Sequence, residues 1–350
     1  MKILYLDTPL DPPGGGQLSL LSMAAEIAKK HGVKVFIHDN LPFGTRLKEA
    51  GLESEVVPLR NIYSALKRER PDLVHCNSGT TKYSFFSALV CRMLGIPFLW
   101  HVRVSEKAPL KDDMIAFFSS KIIVVSETVK NRFRSFWHKK IVKIHNAVPA
   151  DFPVAAEAPA GIRRRLGISE NEKVAGVFSR LERSKGQAVF LEAAGLLAAK
   201  GRSLRLIIAG EGEEKDNLKR ISEKLGISGK VIFTGYLPDP AGHIGACDIV
   251  VNPSVEPEGF GRVVIEAMSL GKPVVSSNLG GPLEIIEDGK DGILCEPSPE
   301  GFSAALERLL KDDALCSAIS ANARKKAAEK FSLAGQIEKV GNLYAEFAKR

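Results

Sequence analysis

Short apolar strands alternate with helical segments along the whole chain, and this alternation limits the possible folds more than any other feature of the sequence. Buried strands separated by helical patterns are typical of parallel sheets that are covered by helices on both faces. With 350 residues, the chain is long enough for two domains that each bury a core. The pattern therefore predicts an α/β protein with two doubly wound, Rossmann-like domains. The predicted strands are residues 1–7, 33–39, 55–59, 72–77, 97–103, 121–126, 141–147, 173–180, 204–210, 230–236, 248–252, 273–278 and 292–295.

A proline-containing segment marks the predicted domain boundary. Residues 148–160 contain three prolines and show no helical period, a composition typical of linkers. We expect an N-terminal domain over 1–150, a linker over 151–160 and a second domain over 161–332. Ligands of open parallel sheets bind beyond the carboxyl ends of the strands, so a cleft between the two domains is the expected site.

Two carboxylates in the second half, Glu258 and Glu266, are separated by seven residues in the stretch Glu-Gly-Phe-Gly-Arg-Val-Val-Ile-Glu. In a glycosidase the two catalytic acids lie roughly 5 to 9.5 Å apart. If residues 258–266 were helical, eight steps of roughly 1.5 Å would place the backbones of the two glutamates about 12 Å apart, which disfavours a glycosidase pair. A metal site would need converging ligands, and this stretch has no His and no Asp-rich loop. We therefore interpret the pair as binding two ends of one elongated, hydroxyl-rich ligand, with the amides of 259–261 favouring an anion between them. Two ordinary surface glutamates are the alternative, which the glycines of the neighbouring loops disfavour.

The stretch from Asn252 to Ile286 resembles the signature of retaining, nucleotide-sugar-dependent glycosyltransferases of the GT-B architecture, in the group called family 4. The shared elements are two acids separated by seven residues, a preceding Pro-Ser and a following Ala-Met-Ser-Leu-Gly-Lys-Pro-Val. The resemblance implies that Glu258 binds the transferred sugar and that Glu266 holds the nucleotide ribose. It also implies that a C-terminal helix over about 333–350 crosses back onto the first domain. Between the two acids, the residues predicted to bind the substrate are Gly259, Phe260, Gly261 and Arg262.

Two cations, Arg180 and Lys185, lie on one loop after the first strand of the second domain. Arg can hold a diphosphate by a bidentate fork and Lys can act on it as a point charge. Basic residues on loops are usually only solvated, so their charge alone decides little. The family has an Arg and a Lys at this place, separated by four residues. The resemblance therefore implies that both cations contact the donor diphosphate during catalysis.

A glycine-rich loop follows the first strand, where backbone amides could approach a phosphate or a sugar, although a permissive turn explains it equally well. It lacks the dinucleotide pattern Gly-x-Gly-x-x-Gly. The resemblance implies that Gly15 and Gly16, just before a helix predicted to start near Gln17, face the donor phosphates and the acceptor. It further implies that His101 contacts the donor sugar and that Arg103 assists with a phosphate or the acceptor, whereas a lone His at a strand end is more often structural. By the same resemblance, the nucleotide base pocket is lined by Gly210, Glu211, Gly235, Tyr236 and Leu237.

The net charge of +8 is concentrated in the first domain. Residues 1–160 hold 22 Lys and Arg against 15 Asp and Glu, whereas residues 161–350 hold 27 against 26. The segment from Lys130 to Lys140 combines cations with aromatic residues in a predicted helix. This composition suits an anionic membrane surface or a lipid-linked acceptor, and it suits equally a solvated helix whose aromatic residues pack on the sheet. Nucleic acid is excluded as a partner because no DNA- or RNA-binding module is recognisable.

Five scattered cysteines predict reduced core thiols in a cytoplasmic protein. No apolar run approaches the roughly 20 residues of a membrane span, so any membrane association is expected to be peripheral, on the inner face.

The sequence thus predicts a retaining, metal-independent glycosyltransferase that needs no cofactor. Its donor is expected to be a nucleotide-diphosphate sugar, a UDP-sugar above all, and its acceptor a glycan or lipid-linked hydroxyl in surface-polysaccharide or lipopolysaccharide synthesis. Two alternatives stay open. One is a non-catalytic sugar-nucleotide-binding protein on the same fold, and the other is an NAD-dependent oxidoreductase, supported only by Asp39, which closes the second predicted strand after the glycine-rich loop.

Overall fold

The computed structural model describes residues 1–39, 42–149, 152 and 157–348. Across these residues the chain forms thirteen strands and fifteen α-helices. The strands are β1 (Lys2–Asp7), β2 (Gly32–Ile37), β3 (Glu53–Val56), β4 (Leu73–Cys76), β5 (Phe98–Val102), β6 (Lys121–Val124), β7 (Ile141–Lys143), β8 (Val174–Phe178), β9 (Arg205–Ala209), β10 (Val231–Gly235), β11 (Ile249–Asn252), β12 (Val274–Ser277) and β13 (Ile293–Cys295). The helices are α1 (Gly15–Ala28), α2 (Pro42–Glu49), α3 (Ile62–Glu69), α4 (Lys82–Leu94), α5 (Pro109–Phe118), α6 (Glu127–Lys130), α7 (Pro159–Arg165), α8 (Gln187–Ala199), α9 (Lys215–Lys224), α10 (Ala241–Ala246), α11 (Arg262–Ser269), α12 (Pro282–Ile285), α13 (Pro299–Lys311), α14 (Asp313–Lys330) and α15 (Leu333–Ala348).

The strands form two sheets, and every strand pair in them is parallel. The orders are β3-β2-β1-β4-β5-β6-β7 and β10-β9-β8-β11-β12-β13. Both are doubly wound: the strand order reverses between β1 and β4 in one sheet and between β8 and β11 in the other. The prediction of two Rossmann-like α/β sheets is confirmed. Such reversals are the points where open parallel sheets bind ligands.

The chain divides into two compact units. Unit 1 comprises Met1–Ala147 with Leu333–Arg350, and unit 2 comprises Val148–Ser332. In unit 1 the last helix, α15, contributes Val340, Leu343 and Tyr344 to the same core as residues of β1 and α1. Unit 2 has its own core, to which β8, α8 and α13 all contribute. The predicted linker at 151–160 lies partly outside the described residues.

Strand β5 shows why these segments become central strands. Its sequence, Phe-Leu-Trp-His-Val, is almost continuously apolar, and all five of its residues are buried. A strand that is covered by helices on both faces has no solvent side, so apolar residues fill both sets of alternating positions. His101 is the exception in β5, and as a buried polar residue it requires hydrogen-bond partners.

Residues 130–140 do not form the continuous helix that was predicted for them. Helix α6 ends at the first of these residues, and a 3₁₀ helix, Ser135–Lys140, follows after a turn. Arg132 is buried in an ion pair with Asp112, whose Oδ1 lies 2.5 Å from Nη2. The adjacent Phe133 packs on the buried Trp100. These two consecutive side chains thus contact α5 and β5 where the chain turns between α6 and the 3₁₀ helix.

All five cysteines are free thiols. Among the described helices, none combines the length and the apolar composition that crossing a bilayer requires.

Asp7, the last residue of β1, is a carboxylate that is 1% exposed. Asn77 donates a hydrogen bond to its Oδ1 at 3.1 Å. Burial nevertheless dominates and raises the pKa of Asp7 from 3.8 to about 6. The charged form of Asp7 therefore destabilises the folded state at neutral pH.

We expect Asp7→Asn to raise the free energy of unfolding of unit 1 at pH 7 by about 3 kcal/mol, because each pKa unit corresponds to about 1.36 kcal/mol. A pKa raised in the folded state means that the wild type is most stable below about pH 4. The stability that the protonated Asp7 contributes is lost as the pH rises through about 6. Urea unfolding followed by tryptophan fluorescence measures unit 1 selectively, since both tryptophans, Trp100 and Trp137, belong to it.

The matched control is Asp216→Asn, which changes a carboxylate whose side chain is 91% exposed. It is expected to leave the pH profile between about 4 and 6 unchanged. An Asp7→Asn protein that is less stable than the wild type at pH 7, or that keeps the wild-type pH profile, would contradict the prediction.

Candidate functional site

In unit 2, two loops meet where the strand order reverses, at the carboxyl ends of β8 and β11. Val255 in the loop after β11 donates its backbone N–H to the carbonyl of Ser184 in the loop after β8, at 2.9 Å. Gly186 has φ +67°, and a Cβ at this position would collide with the carbonyl of Pro253. A residue with a side chain therefore could not bring the two loops this close.

The contact between the loops brings Lys185 and Glu258 together. The Lys185 ammonium forms an ion pair with the Glu258 carboxylate, and both side chains are largely shielded, at 25% and 10% exposed. Ser254 donates a hydrogen bond to the same carboxylate at 2.8 Å, and Asn252 donates to its other oxygen at 3.3 Å. Glu258 is thus held in place by one cation and two neutral donors from β11 and its loop.

A third loop, after β12, supports the segment that follows Glu258. Gly281 donates its N–H to the Glu258 carbonyl at 2.9 Å. A Cβ on Gly281 would collide with the backbone of Phe260. The Phe260 ring itself is 3% exposed and packs against Phe331, with ring centroids 6.0 Å apart. Phe260 therefore anchors the loop through its side chain.

Helix α11 begins after this loop and carries the second acid of the pair. Gly261, with φ +88°, is the residue before its first turn. Glu266 is 6% exposed and lies 2.6 Å from Arg262 Nε, one turn earlier. Burial raises the pKa of Glu266, and the Arg262 charge opposes this effect. The two acids thus have separate partners, Lys185 for one and Arg262 for the other.

The remaining predicted residues of unit 2 lie on neighbouring loops of the same sheet edge. Arg180 is about half exposed and pairs with Glu182 at 2.6 Å. Gly210 donates its N–H to the Gly235 carbonyl at 2.8 Å, which joins the ends of β9 and β10. Glu211 accepts from Lys215 at 2.8 Å. Tyr236 and Leu237, which continue from β10, are partly buried.

In unit 1, a polar cluster lies at the corresponding reversal between β1 and β4. Helix α1 begins at Gly15, earlier than predicted, so Gly15 and Gly16 form its first turn. Asn77, which follows β4, donates to the Gly16 carbonyl at 3.3 Å and to Asp7. Its Oδ1 accepts from Arg103 Nε at 2.6 Å. Arg103 also donates to Asn146, so its guanidinium connects the ends of three strands.

His101 is fully buried inside β5. Its Nδ1 lies 3.1 Å from His75 Nε2 and 3.4 Å from Arg103 Nη2. Burial, and then the Arg103 charge, hold the pKa of His101 well below its usual range. His101 is therefore a neutral imidazole at physiological pH.

The structure brings Lys185 and Glu258 into contact and places His101 beside Arg103. Several polar neighbours of these residues were not identified from the sequence. Each of them ends a parallel strand or follows one closely, and that position was the available signal. They are Asp7, Asn77, Asn146, Asn252 and Ser254.

In the part of the chain that is described, no three or more His, Cys, Asp and Glu side chains are grouped as a metal ion would require.

Comparison with known proteins identifies the family. A family model described as glycosyl transferases group 1 matches residues 160–326, and one described as Glycosyltransferase Family 4 matches residues 13–152. An uncharacterized glycosyltransferase of Methanocaldococcus jannaschii is 28% identical over 296 residues, which are 79% of this chain and 75% of that protein. The UDP-Gal:alpha-D-GlcNAc-diphosphoundecaprenol alpha-1,3-galactosyltransferase of Escherichia coli is 25% identical over 324 residues, or 86% and 82% of the two chains. The crystal structure of Anabaena HepE in complex with UDP-glucose superposes with a TM-score of 0.88 at 24% identity, covering 99% of this chain and 100% of that one. The chain therefore belongs to the glycosyltransferases of family 4, which have the GT-B architecture.

Proposed function

We propose that this glycosyltransferase moves a sugar from a nucleotide-diphosphate donor to a hydroxyl of a glycan or lipid-linked acceptor, with retention of configuration and without a metal ion. The observation that carries the proposal is the contact between Lys185 and Glu258. In a nucleotide sugar the β-phosphate is bonded directly to the sugar. A cation for the phosphate and a hydroxyl acceptor for the sugar must therefore lie side by side, as these two side chains do.

Within unit 2, the groups that would stabilise the departing diphosphate are Lys185, Arg180 and the N-terminus of α11. Bond cleavage transfers negative charge to the phosphate, and donors already oriented toward it lower the barrier. A diphosphate carries more charge than one carboxylate, so it competes effectively for the Lys185 ammonium while Glu258 turns to the sugar hydroxyls. Ser254 and Asn252 keep the Glu258 carboxylate oriented during this exchange.

The other acid, Glu266, is proposed to accept hydrogen bonds from the ribose. Its ion pair with Arg262 fixes the carboxylate and favours its ionised form, against the effect of burial. The loops at Gly210–Glu211 and Gly235–Leu237 are proposed to line the base, which we take to be uracil. Thus base, ribose, diphosphate and sugar would all bind along one edge of this sheet, between β10 and β12.

Unit 1 is proposed to supply the acceptor-side groups. Gly15 and Gly16 form the first turn of α1, where backbone amides favour an anion. Arg103 is held by Asn77 and Asn146, so it can keep a fixed orientation toward a phosphate or the acceptor. His101 is proposed to contact the donor sugar. In a retaining transfer the acceptor hydroxyl attacks from the face that the diphosphate leaves, and the anomeric configuration of the product, determined by NMR, tests retention.

Unit 1 also has an exposed apolar surface, and we propose that it binds an anionic membrane. Helix α5 presents Leu110, Met114 and Phe117, at positions i, i+4 and i+7, and Leu110 and Phe117 are 74% and 65% exposed. Trp137 of the 3₁₀ helix donates to Asp113 of α5 at 2.7 Å, which holds the exposed Phe136 beside this face. The further exposed apolar residues Phe86 and Met93 lie on α4, and the exposed cations are Lys107, Lys111, Arg134 and Lys139.

Apolar side chains that are rimmed by Lys and Arg fit the interface of an anionic bilayer. The sequence left open whether residues 130–140 contact a membrane or pack as an ordinary helix, and the proposed surface extends beyond this segment to α5 and α4. Within that segment Lys130 pairs with Glu127 at 3.1 Å, and Lys140 donates to the carbonyls of Ala116, Phe117 and Ser119. A membrane-bound acceptor agrees with the Escherichia coli relative, whose name specifies a diphosphoundecaprenol-linked acceptor. We propose surface-polysaccharide or lipopolysaccharide synthesis as the setting.

For the donor site, we expect Lys185→Ala and Glu258→Gln each to lower kcat/KM for UDP-sugar turnover by roughly 100-fold or more, since each removes a charge that contacts the reacting groups. Glu266→Gln should act chiefly on affinity for UDP, because it removes a ribose contact distant from the sugar. The measurements are UDP release from UDP-glucose and UDP-galactose with a membrane extract as acceptor, and UDP binding by calorimetry.

The matched controls are Arg183→Ala and Glu256→Gln. Both residues are exposed, and they lie two positions before Lys185 and Glu258, respectively. Both should retain wild-type turnover. Full turnover by Lys185→Ala and Glu258→Gln would refute the assignment. Tight UDP binding without any UDP release would instead favour a non-catalytic binding protein.

For the membrane surface, we expect the double variant Leu110→Glu and Phe117→Glu to weaken binding to phosphatidylglycerol-containing vesicles by at least roughly tenfold, because burying each apolar side chain contributes about 1.5–3 kcal/mol. Vesicle co-sedimentation measures this, with neutral phosphatidylcholine vesicles expected to bind more weakly.

Leu196→Glu is the control for added negative charge, since Leu196 is an exposed apolar residue on α8 of unit 2. It should bind vesicles like the wild type. Equal binding of the wild type and the α5 double variant would rule out this surface.

A further inference from the structure

A chain of hydrogen bonds runs through the interior of unit 1 and ends at His101. The hydroxyls of Tyr5 and Tyr344 are 2.8 Å apart, and the Tyr344 hydroxyl lies 2.5 Å from His75 Nδ1. His75 Nε2 is in turn 3.1 Å from His101 Nδ1. All four side chains are buried. Three of them come from the neighbouring strands β1, β4 and β5, and Tyr344 comes from α15 near the end of the chain.

Arg103 determines the direction of this chain. A guanidinium has only donors, and its Nη2 lies 3.4 Å from His101 Nδ1. Nδ1 of His101 must therefore be the nitrogen without a hydrogen. Because burial keeps the ring neutral, with its pKa well below the usual range, its single hydrogen resides on Nε2.

The remaining hydrogens follow from this assignment. His75 Nε2 has to be the donor to His101, so His75 Nδ1 accepts from the Tyr344 hydroxyl, and Tyr344 accepts from Tyr5. Burial and the Arg103 charge lower the pKa of His75 to about 3, so this ring is also neutral. In the reverse direction the hydroxyl of Tyr5 would donate to no group among the described residues. In the direction that Arg103 favours, the hydroxyl of Tyr5 has an acceptor, and the one hydrogen left over is that on His101 Nε2.

The last hydrogen of the chain, on His101 Nε2, has no partner in the described part of the protein. This nitrogen is buried and makes no hydrogen bond with any described residue. A buried donor without an acceptor costs about 1–3 kcal/mol, which an incoming oxygen atom would recover. Arg103 links His101 to the polar cluster at the strand ends, and the Cδ of Arg103 would lie 3.5 Å from a Cβ on Gly16, in the first turn of α1.

We propose that His75 and Tyr344 are positioning residues that hold His101 as its neutral Nε2–H tautomer, and that this N–H donates a hydrogen bond to an oxygen of the bound sugar nucleotide. The identity of the ligand rests on the proposed function. His101 then serves as a hydrogen-bond donor and not as a general base, because its only lone pair is occupied by His75 and Arg103. The C-terminal helix is part of the site through Tyr344, although it lies far from it in the sequence.

The tautomer is measured directly by ¹⁵N NMR of the full chain labelled at histidine, without any ligand. In the wild type, His101 is expected to show a protonated, pyrrole-type Nε2 and an unprotonated, pyridine-type Nδ1, unchanged between about pH 5.5 and 8. Tyr344→Phe removes the donor to His75 Nδ1 and should raise the population of the other tautomer of both rings, which Arg103 alone then opposes. The matched control is Tyr83→Phe, which removes another buried hydroxyl of unit 1, one with no hydrogen-bond partner among the described residues; it should leave both rings unchanged.

Turnover of UDP-glucose provides the second measurement. We expect Tyr344→Phe to lower kcat/KM by roughly tenfold, the effect of losing one hydrogen bond to the ligand. His101→Gln keeps an N–H close to the position of Nε2 without needing a tautomer to be fixed. In the His101→Gln background, Tyr344→Phe should therefore have no further effect, whereas a merely structural role of Tyr344 would lower turnover in both backgrounds.

A hydrogen on Nδ1 of His101 in the wild type overturns the proposal, as does an equal loss from Tyr344→Phe in both backgrounds. Wild-type turnover by Tyr344→Phe also overturns it. Failure of the wild type to release UDP from UDP-glucose or UDP-galactose contradicts the proposed function instead, and the NMR measurement still decides the tautomer in that case.

Discussion

The close approach of two backbone segments, Gly186 and Pro253, is the constraint on which the candidate donor site depends. The loops after β8 and β11 touch there so closely that a single methyl group would separate them. Their contact places an ammonium on one loop against a carboxylate on the other, in surroundings that shield both. At a low effective dielectric this pairing is stronger than on an open surface, but it also desolvates two charges. The hydrogen bonds from Ser254 and Asn252 partly offset that cost and leave the carboxylate oriented.

The same arrangement explains why so many glycines lie at this edge of the sheet. Parallel strands are about 4.8 Å apart, so loops that leave neighbouring strands on the same side are crowded. Side chains on every loop would push the loops apart and widen the distance between the cation and the acid. Gly186 and Gly281 remove that obstacle at the two places where the backbones meet. The chemistry of Lys185 and Glu258 therefore depends on residues that contribute no functional group of their own.

The sequence was sufficient to predict the two parallel sheets, because central strands that are buried on both faces leave apolar runs that are easy to recognise. It was less accurate at the sheet edge, where β3, Glu53–Val56, shares only two residues with the predicted strand 55–59. It was not sufficient for residues 130–140, where period and composition suggested a helix. The partner that draws Arg132 inward, Asp112, is twenty positions away and could not be read from the local pattern. The sequence predicted that Lys185 lies on a loop and that Glu258 and Glu266 bind different parts of a ligand. It did not predict that Lys185 contacts Glu258. Likewise His101 was named as a candidate from the sequence, whereas its link to Tyr344 spans most of the chain and leaves no trace in the local sequence.

The two reversal points differ in their electrostatics, and this difference follows the chemistry proposed for each unit. In unit 2 the strand ends carry full charges, Arg180, Lys185, Glu258 and Glu266, which suit a ligand that contains a diphosphate. In unit 1 the strand ends carry mostly neutral groups, two asparagines and two histidines, organised around one arginine. Burial keeps both histidines uncharged and disfavours the charge of Asp7. A neutral, directed network exerts little long-range attraction on a charged ligand but orients hydroxyl groups well. Under the proposed function, the full charges of unit 2 suit the diphosphate of a donor, and the fixed hydrogen-bond directions of unit 1 suit hydroxyl groups.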